Sequence, residues 1–325
     1  MTDAPTTPEP ARSKGPDDLV LPFQTLRSGI TGRLVRCGAV ADTILSRHAY
    51  PDIVSGALGE AIGLTSMLGA ALKGDGKLIL QTRTDGPMRF LVVNFETSGR
   101  LRGYASYDAD KLKMYGKGVS QGVLLGRGHL VMTIDPGSGQ DRSQGIVGIE
   151  RQSLRQVTES YFRQSEQLPT FIRVAVARIF VGGAKNGGWA WRVGGLMIQH
   201  LAVPGGAVPD EEKSGEAHDA RLEGEGDENW NRARILAETV EDHELLDPML
   251  APERLLYRLF HEEGVKVFPP QPLNAECGCS RERFLEHLKN FGNAQLKDLA
   301  EPDGSMTATC EFCNKSYHFA ADEIG

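Results

Sequence analysis

The sequence predicts an α+β protein in which an N-terminal domain with a largely antiparallel sheet and packed helices leads through a helical linker to a small, cysteine-bearing C-terminal domain. Three observations carry this. Asp85-Gly86 and Ser98-Gly99 separate β-rich runs, a spacing that makes consecutive antiparallel hairpins. An acidic, glycine-rich stretch at residues 204–229 interrupts the pattern and cannot bury enough apolar surface to order itself. Four of the five cysteines fall after residue 276. The predicted units are a disordered tail at 1–18, the α+β domain at 19–203, the acidic insertion and helical linker at 204–270, and the cysteine domain at 271–325.

Residues 30–35 read as a strand, followed by a helix over 39–48 that stops before Tyr50-Pro51. A second helix is expected over 52–73. Its small residues (Gly56, Ala57, Gly59, Ala61, Gly63) permit close approach to a sheet or a partner helix. Strands follow at 77–84, 88–95 and 100–105, then at 129–134 and 145–149. A helix over 153–164 precedes closing strands at 170–180 and 189–201. Consecutive hairpins favour an antiparallel sheet with helices laid on it.

In the linker, Trp230, Ala233, Leu236, Ala237 and Val240 recur at helical spacing. Asp247-Pro248 opens a turn or short helix. A clearer helix spans 252–263, with Leu255, Leu256, Leu259 and Phe260 on one face and Gly264 as the residue after its end. Short amphipathic helices need another surface to be stable, so this face should pack on the N-terminal domain. Ser280 caps a helix over 281–288, a second is expected over 293–300, and Asp303-Gly304 turns into a hairpin carrying Cys310, Cys313 and residues 316–319.

Composition excludes several classes. Hydrophobic residues make up 40% of the chain, enough for a core, yet no run is long enough to span a membrane. The first eighteen residues hold four prolines and no aliphatic run, so they offer no secretory segment and point to the cytoplasm. The net charge of −7 is local to residues 204–229; the remainder is balanced. There is no basic stripe for nucleic acid and no basic face for a membrane.

In a reducing compartment, clustered cysteines are metal ligands or redox groups more often than staples. Cys277-Gly278-Cys279 and Cys310-Glu311-Phe312-Cys313 are separated by thirty residues. Two close thiolate pairs suit one tetrahedral zinc ion per chain, structural or redox in role. Cys37, alone in an expected strand, reads as a buried apolar thiol, and four cysteines leave no place for His287 or His318 as ligands. With one residue between them, Cys277 and Cys279 can join only in a tight ring, which Gly278 eases; such a bond is easily reduced. The block is too small to stand on its own apolar residues, whereas zinc contributes on the order of 10–16 kcal/mol in small peptides.

These residues resemble the redox-regulated heat-shock holdase family of bacteria, the thirty-three-kilodalton class. The likeness runs from about Leu21 onward and includes His48-Ala49-Tyr50-Pro51, Gln81 to Gly86, Gly128 to Asp135, Tyr161 to Thr170 and Tyr257 to Glu263. The family's Cys-x-Cys and Cys-x-x-Cys signature falls on Cys277, Cys279, Cys310 and Cys313. The resemblance implies a non-enzymatic chaperone that is idle when reduced and zinc-bound. It implies oxidation of Cys277 with Cys279 and of Cys310 with Cys313, loss of zinc, and unfolding of the terminal block and linker. The activated form, a homodimer in this family, then holds unfolding client proteins without ATP. No phosphate-loop motif is present. Two rivals remain: a static zinc-binding interaction module, for which Cys-x-Cys is unneeded, and a dithiol oxidoreductase using Cys310 and Cys313, which wants a cysteine at a helix N-terminus.

Overall fold

The computed structural model describes residues 17–116, 118–137, 141–180, 188–200, 227–290, 301–302, 304–320 and 323. The chain begins with β1 (Leu19–Thr25) and β2 (Thr31–Cys37), then α1 (Ala39–Leu45) and the long α2 (Asp52–Gly69). Next come β3 (Lys77–Thr84), β4 (Met88–Glu96) and β5 (Leu101–Tyr107). Two short helices, α3 (Ala109–Met114) and α4 (Gln121–Leu125), lead to β6 (Arg127–Asp135), β7 (Ser143–Glu150) and α5 (Leu154–Gln164). The domain closes with β8 (Thr170–Phe180) and β9 (Trp189–Gln199). The linker supplies α6 (Glu228–Glu238), α7 (Asp242–Leu246), α8 (Pro252–Phe260) and β10 (Val265–Val267), and β11 (Gln271–Pro272) follows at its end. The cysteine block holds α9 (Arg281–Lys289) and the hairpin β12 (Met306–Thr309) and β13 (Ser316–Phe319).

The α+β class expected from the hairpin spacing is the class observed. One sheet runs β5-β4-β3-β6-β7 and the other β10-β1-β2-β9-β8, with β11 also on β1. Every ladder in both is antiparallel. Helix α2 lies between the two sheets and is apolar nearly all round because it is covered nearly all round. A Cβ at Gly59 would sit 2.6 Å from Val176, and one at Gly63 would sit 3.0 Å from Val174. The small residues therefore set the helix–sheet distance, as their pattern suggested. Gly56 faces open space and has no such role.

The second sheet explains the linker. Along β1, Val20 points into the core around α2, while Leu19, Leu21 and Phe23 point to the opposite face. On β2, Val35 and Leu34 divide in the same way, as do Met197 and Ile198 on β9. Side chains alternate across a strand, so a sheet apolar on both sides must be covered on both sides. Helices α6, α7 and α8 supply that second cover through Trp230, Ala233, Leu245, Leu255, Leu256, Leu259 and Phe260. The rings of Phe23 and Phe260 meet at 5.6 Å. The expected docking of the 252–263 face is therefore observed.

Several expectations shift. Strand β1 was not anticipated, because Pro22 interrupts its pattern. Asp17 and Asp18, counted with the tail, are bonded into the fold: Asp17 pairs with Arg192, and Asp18 accepts from the backbone N–H groups of Gly38 and Val40. The expected helix over 52–73 ends at Gly69. Asp247-Pro248 forms a turn, and the unforeseen α7 precedes it. Segment 265–275 lies on the core, with β10 and β11 on β1 and Leu273 buried beside α2's neighbours. Tail residues 1–16, insertion residues 204–226 and the helix expected at 293–300 lie outside the described residues. No helix of the described residues is long and apolar enough to cross a membrane.

Candidate metal centre

Two chain segments bring the cysteines together. Cys277 and Cys279 lie on the arm between β11 and α9, where Ser280 accepts a hydrogen bond from the Arg283 backbone N–H as an N-cap. Cys310 and Cys313 lie on the turn between β12 and β13. There the Asn314 N–H donates to the Cys310 carbonyl at 2.7 Å, and the Cys310 N–H donates to the Lys315 carbonyl at 2.9 Å. Asn314 takes a positive φ of 58°, a conformation asparagine tolerates better than most residues. Register in the hairpin, Thr309 opposite Ser316 and Met306 opposite Phe319, holds this turn at the sheet end.

The four sulfurs lie within 4.8 Å of one another. Cys277 and Cys310 approach to 3.7 Å, and Cys279 and Cys313 to 3.3 Å. Zinc–thiolate bonds of about 2.3 Å in a tetrahedron place sulfurs roughly 3.8 Å apart, so the donor set fits zinc in both number and size. The electrostatics agree. Burial raises the Cys313 thiol to about 12, with the neighbouring Cys279 and Cys310 adding to it. Cys279 is also penalised by burial, but hydrogen bonds from the Tyr317 hydroxyl and the other thiols bring it down to about 7. Four thiolates crowded together repel one another, and a cation at their centre reverses that repulsion.

Other sequence expectations fall into place around the cluster. Cys37 is fully buried in the main core, where burial and the nearby Asp18 push its thiol well up. His318 bonds to the Thr307 hydroxyl at 2.8 Å and is not among the clustered donors. His287 stays in the last turn of α9. Among the described residues, the block's own core is Leu288, Met306, Tyr317 and Phe319, with Phe284 and Leu285 against it.

Sequence reasoning missed the residues that seat the cluster on the N-terminal domain. Arg47 donates to the carbonyls of Ala275 at 2.9 Å and Phe312 at 3.3 Å. Arg102 stacks over the Phe312 ring at 4.3 Å. Asn314 donates to the Arg47 carbonyl at 3.4 Å. The run His48-Ala49-Tyr50-Pro51 marked the place without showing what it faces; Tyr50 accepts from the Ala105 N–H beside it.

Two antiparallel sheets enclosing a helix, a linker laid over one of them and a terminal cysteine tetrad define a two-part protein with a metal-capable appendage. The family follows from comparison with known proteins. The chain belongs to the Hsp33 protein family, a family of chaperones, whose profile matches residues 18–320. The 33 kDa chaperonin of Caulobacter vibrioides is 40% identical over 304 residues, covering 93% of this chain and 94% of that protein. The 33 kDa chaperonin of Ectopseudomonas mendocina is 36% identical, covering 91% and 90%. The crystal structure of the Thermotoga maritima 33 kDa chaperonin shares the fold, with a TM-score of 0.69 at 20% identity, and covers 94% of this chain and 96% of that one.

Proposed function

We propose that this protein is a redox-regulated, ATP-independent holdase that captures unfolding client proteins in the cytoplasm during oxidative and heat stress. The observation that carries the reading is the cysteine tetrad, four sulfurs within 4.8 Å, set in a block whose described residues form only a small apolar cluster. In the reduced state Cys277, Cys279, Cys310 and Cys313 hold one zinc ion, which neutralises the crowded thiolates and cross-links the two arms. This makes residues 271–325 a switch domain and residues 204–270 its regulatory linker.

Oxidation acts on the pairs Cys277 with Cys279 and Cys310 with Cys313. Each pair gives two electrons to one peroxide molecule; with two protons, the peroxide O–O bond breaks to two waters while a sulfur–sulfur bond forms. Disulfide sulfur carries no thiolate charge, so the donor set for the ion disappears. The block then lacks what its apolar residues cannot supply, and it unfolds. Helices α6–α8 lose their anchored end, and the face bearing Leu21, Phe23, Leu34 and Ile198 becomes available. Apolar surface of this kind takes up unfolding chains without ATP, and the activated protein is a homodimer. Binding in place of catalysis fits the Cys310–Cys313 pair, which sits in a hairpin turn and not at a helix N-terminus. Neither nucleic acid nor membrane is a partner.

The test is aggregation of a heat-unfolded model client, followed by light scattering, with reduced and peroxide-treated protein and with zinc release recorded in parallel. Only the oxidised protein should suppress aggregation, with one zinc released per chain. Equal suppression by the reduced, zinc-loaded protein would remove the switch from this reading.

A further inference from the structure

The two arms of the cysteine site are separated by thirty residues of sequence, yet one guanidinium of the N-terminal domain touches both. Arg47 lies in the turn between α1 and α2. Its Nη2 reaches the carbonyl of Ala275, two residues before Cys277, at 2.9 Å. Its Nη1 reaches the carbonyl of Phe312, between Cys310 and Cys313, at 3.3 Å. A guanidinium is a rigid planar fork, so binding two carbonyls fixes their separation. Three further contacts hold the same place: Asn314 donates to the Arg47 carbonyl, Arg102 covers the Phe312 ring, and Asn274 pairs with Arg100 and Leu101 at the start of β5.

Within the block itself, the arm and the hairpin are joined at the cysteines by the sulfurs and by the Tyr317 hydroxyl near Cys279. We propose that Arg47 is a positioning residue of the cysteine site: it holds both cysteine-bearing arms against the N-terminal domain, preassembling the donor set and setting how readily the site opens. The assignment rests on the zinc-switch reading for its metal readout, though not for its structural one. A preassembled site pays less ordering entropy when it takes up its ion, and residues that orient metal ligands typically change affinity by about 10–100-fold when removed. A lysine at this position can reach one carbonyl but cannot bridge two.

The experiment compares full-length reduced wild type, Arg47→Met and Arg47→Lys by two measurements. In competition with a chromophoric zinc chelator, Arg47→Met should release zinc at about 10–100-fold lower chelator concentration, with Arg47→Lys between it and wild type. Amide hydrogen exchange should rise over residues 274–279 and 310–315 in both variants, while α2 and β3–β6 keep wild-type protection. Zinc affinity and exchange both unchanged in Arg47→Met would overturn the proposal. If wild type itself held no zinc, the metal reading would fall, and exchange alone would decide: raised exchange in the two arms upholds the positioning role, and equal protection ends it. Loss of protection in α2 as well would mean that Arg47 acts on the whole domain, which also overturns the assignment. Arg102→Gln, which removes the Phe312 stack and leaves both Arg47 hydrogen bonds in place, should loosen residues 310–315 and spare 274–279. Equal loosening of both arms by Arg102→Gln would count against Arg47 as the bridge.

Discussion

The linker helices α6–α8 and the cysteine block that follows them both pack against the N-terminal sheets, but different forces hold them. The linker is seated by apolar burial: Leu255, Leu256, Leu259 and Phe260 of α8 and Trp230 of α6 share one core with β1, β2 and β9. Among the described residues, the cysteine block touches the domain through polar and stacking contacts at Arg47 and Arg102 and the backbone pairing of Asn274, and its own core is a small cluster around Tyr317 and Phe319. Apolar burial is proportional to area and does not respond to an oxidant. Thiolate ligation does. On the proposed function, this difference would put the response to an oxidant in the part that shows the least apolar packing among the described residues, next to a part whose removal uncovers a sheet face.

The largest effect should follow from removing the metal. Reduced wild type and Cys37→Ser should each carry about one zinc per chain, while Cys277→Ser, Cys279→Ser, Cys310→Ser and Cys313→Ser should carry little. Against a contribution on the order of 10–16 kcal/mol, the cluster of Leu288, Met306, Tyr317 and Phe319 is no substitute. Chelation should therefore expose residues 277–320 to protease before α2 or the sheets lose protection. Zinc retained by Cys279→Ser but lost from Cys37→Ser would contradict the ligand assignment.

A change inside the linker interface tests the other half of the comparison. Leu259 is 2% exposed on the buried face of α8. Leu259→Glu gives up the burial of a leucine and places a carboxylate within an apolar cluster, together about 3–6 kcal/mol. The docked helices should release with zinc still bound and the cysteines still reduced. Aggregation should then be suppressed without oxidant, and cleavage between residues 228 and 263 should accelerate. A reduced Leu259→Glu protein that stays protease-resistant there and idle would show that the covering of this sheet is not the gate.

Much of this was legible in the sequence because the signals are local. The hairpins announce themselves at Asp85-Gly86 and Ser98-Gly99, the α8 face by its four apolar residues, and the cysteine cluster by the pairing of its residues along the chain. What stayed hidden is non-local. Strand β1 carries Pro22, and β10 and β11 are three and two residues long beside Pro269-Pro270, too short for any periodic pattern. That β9 pairs with β2 across more than 150 residues follows from packing both faces of one sheet, which no window of sequence contains. Arg47 was invisible for the same reason: nothing about a lone arginine near Tyr50-Pro51 shows that two carbonyls, 228 and 265 residues further on, converge on it.

The smallest effect sharpens how the linker is held where it is not apolar. Arg36 is fully buried under α7, donating to the carbonyls of Asp247 at 2.7 Å and Glu244 at 3.0 Å. Arg192 beside it donates to the Leu246 carbonyl at 2.8 Å while its other nitrogens bind Asp17. Gly194 lets this helix end come close, because a Cβ there would collide with the Leu245 carbonyl. Two opposing terms meet at Arg36. Burial disfavours its charge, and its Nε has no hydrogen-bond partner, so the guanidinium is not fully repaid. Its two hydrogen bonds, however, are charge-assisted and satisfy carbonyls that the end of a helix would otherwise leave bare, each contributing about 1.5–3 kcal/mol. In Arg36→Met the cost of the buried cation goes but the two carbonyls are orphaned, and the second loss should win by about 2 kcal/mol. Reduced Arg36→Met should keep its zinc, show faster cleavage at residues 240–250 and need less peroxide for half-maximal activation. If it needs more peroxide instead, the buried charge serves to loosen the linker, and apolar burial alone holds it down.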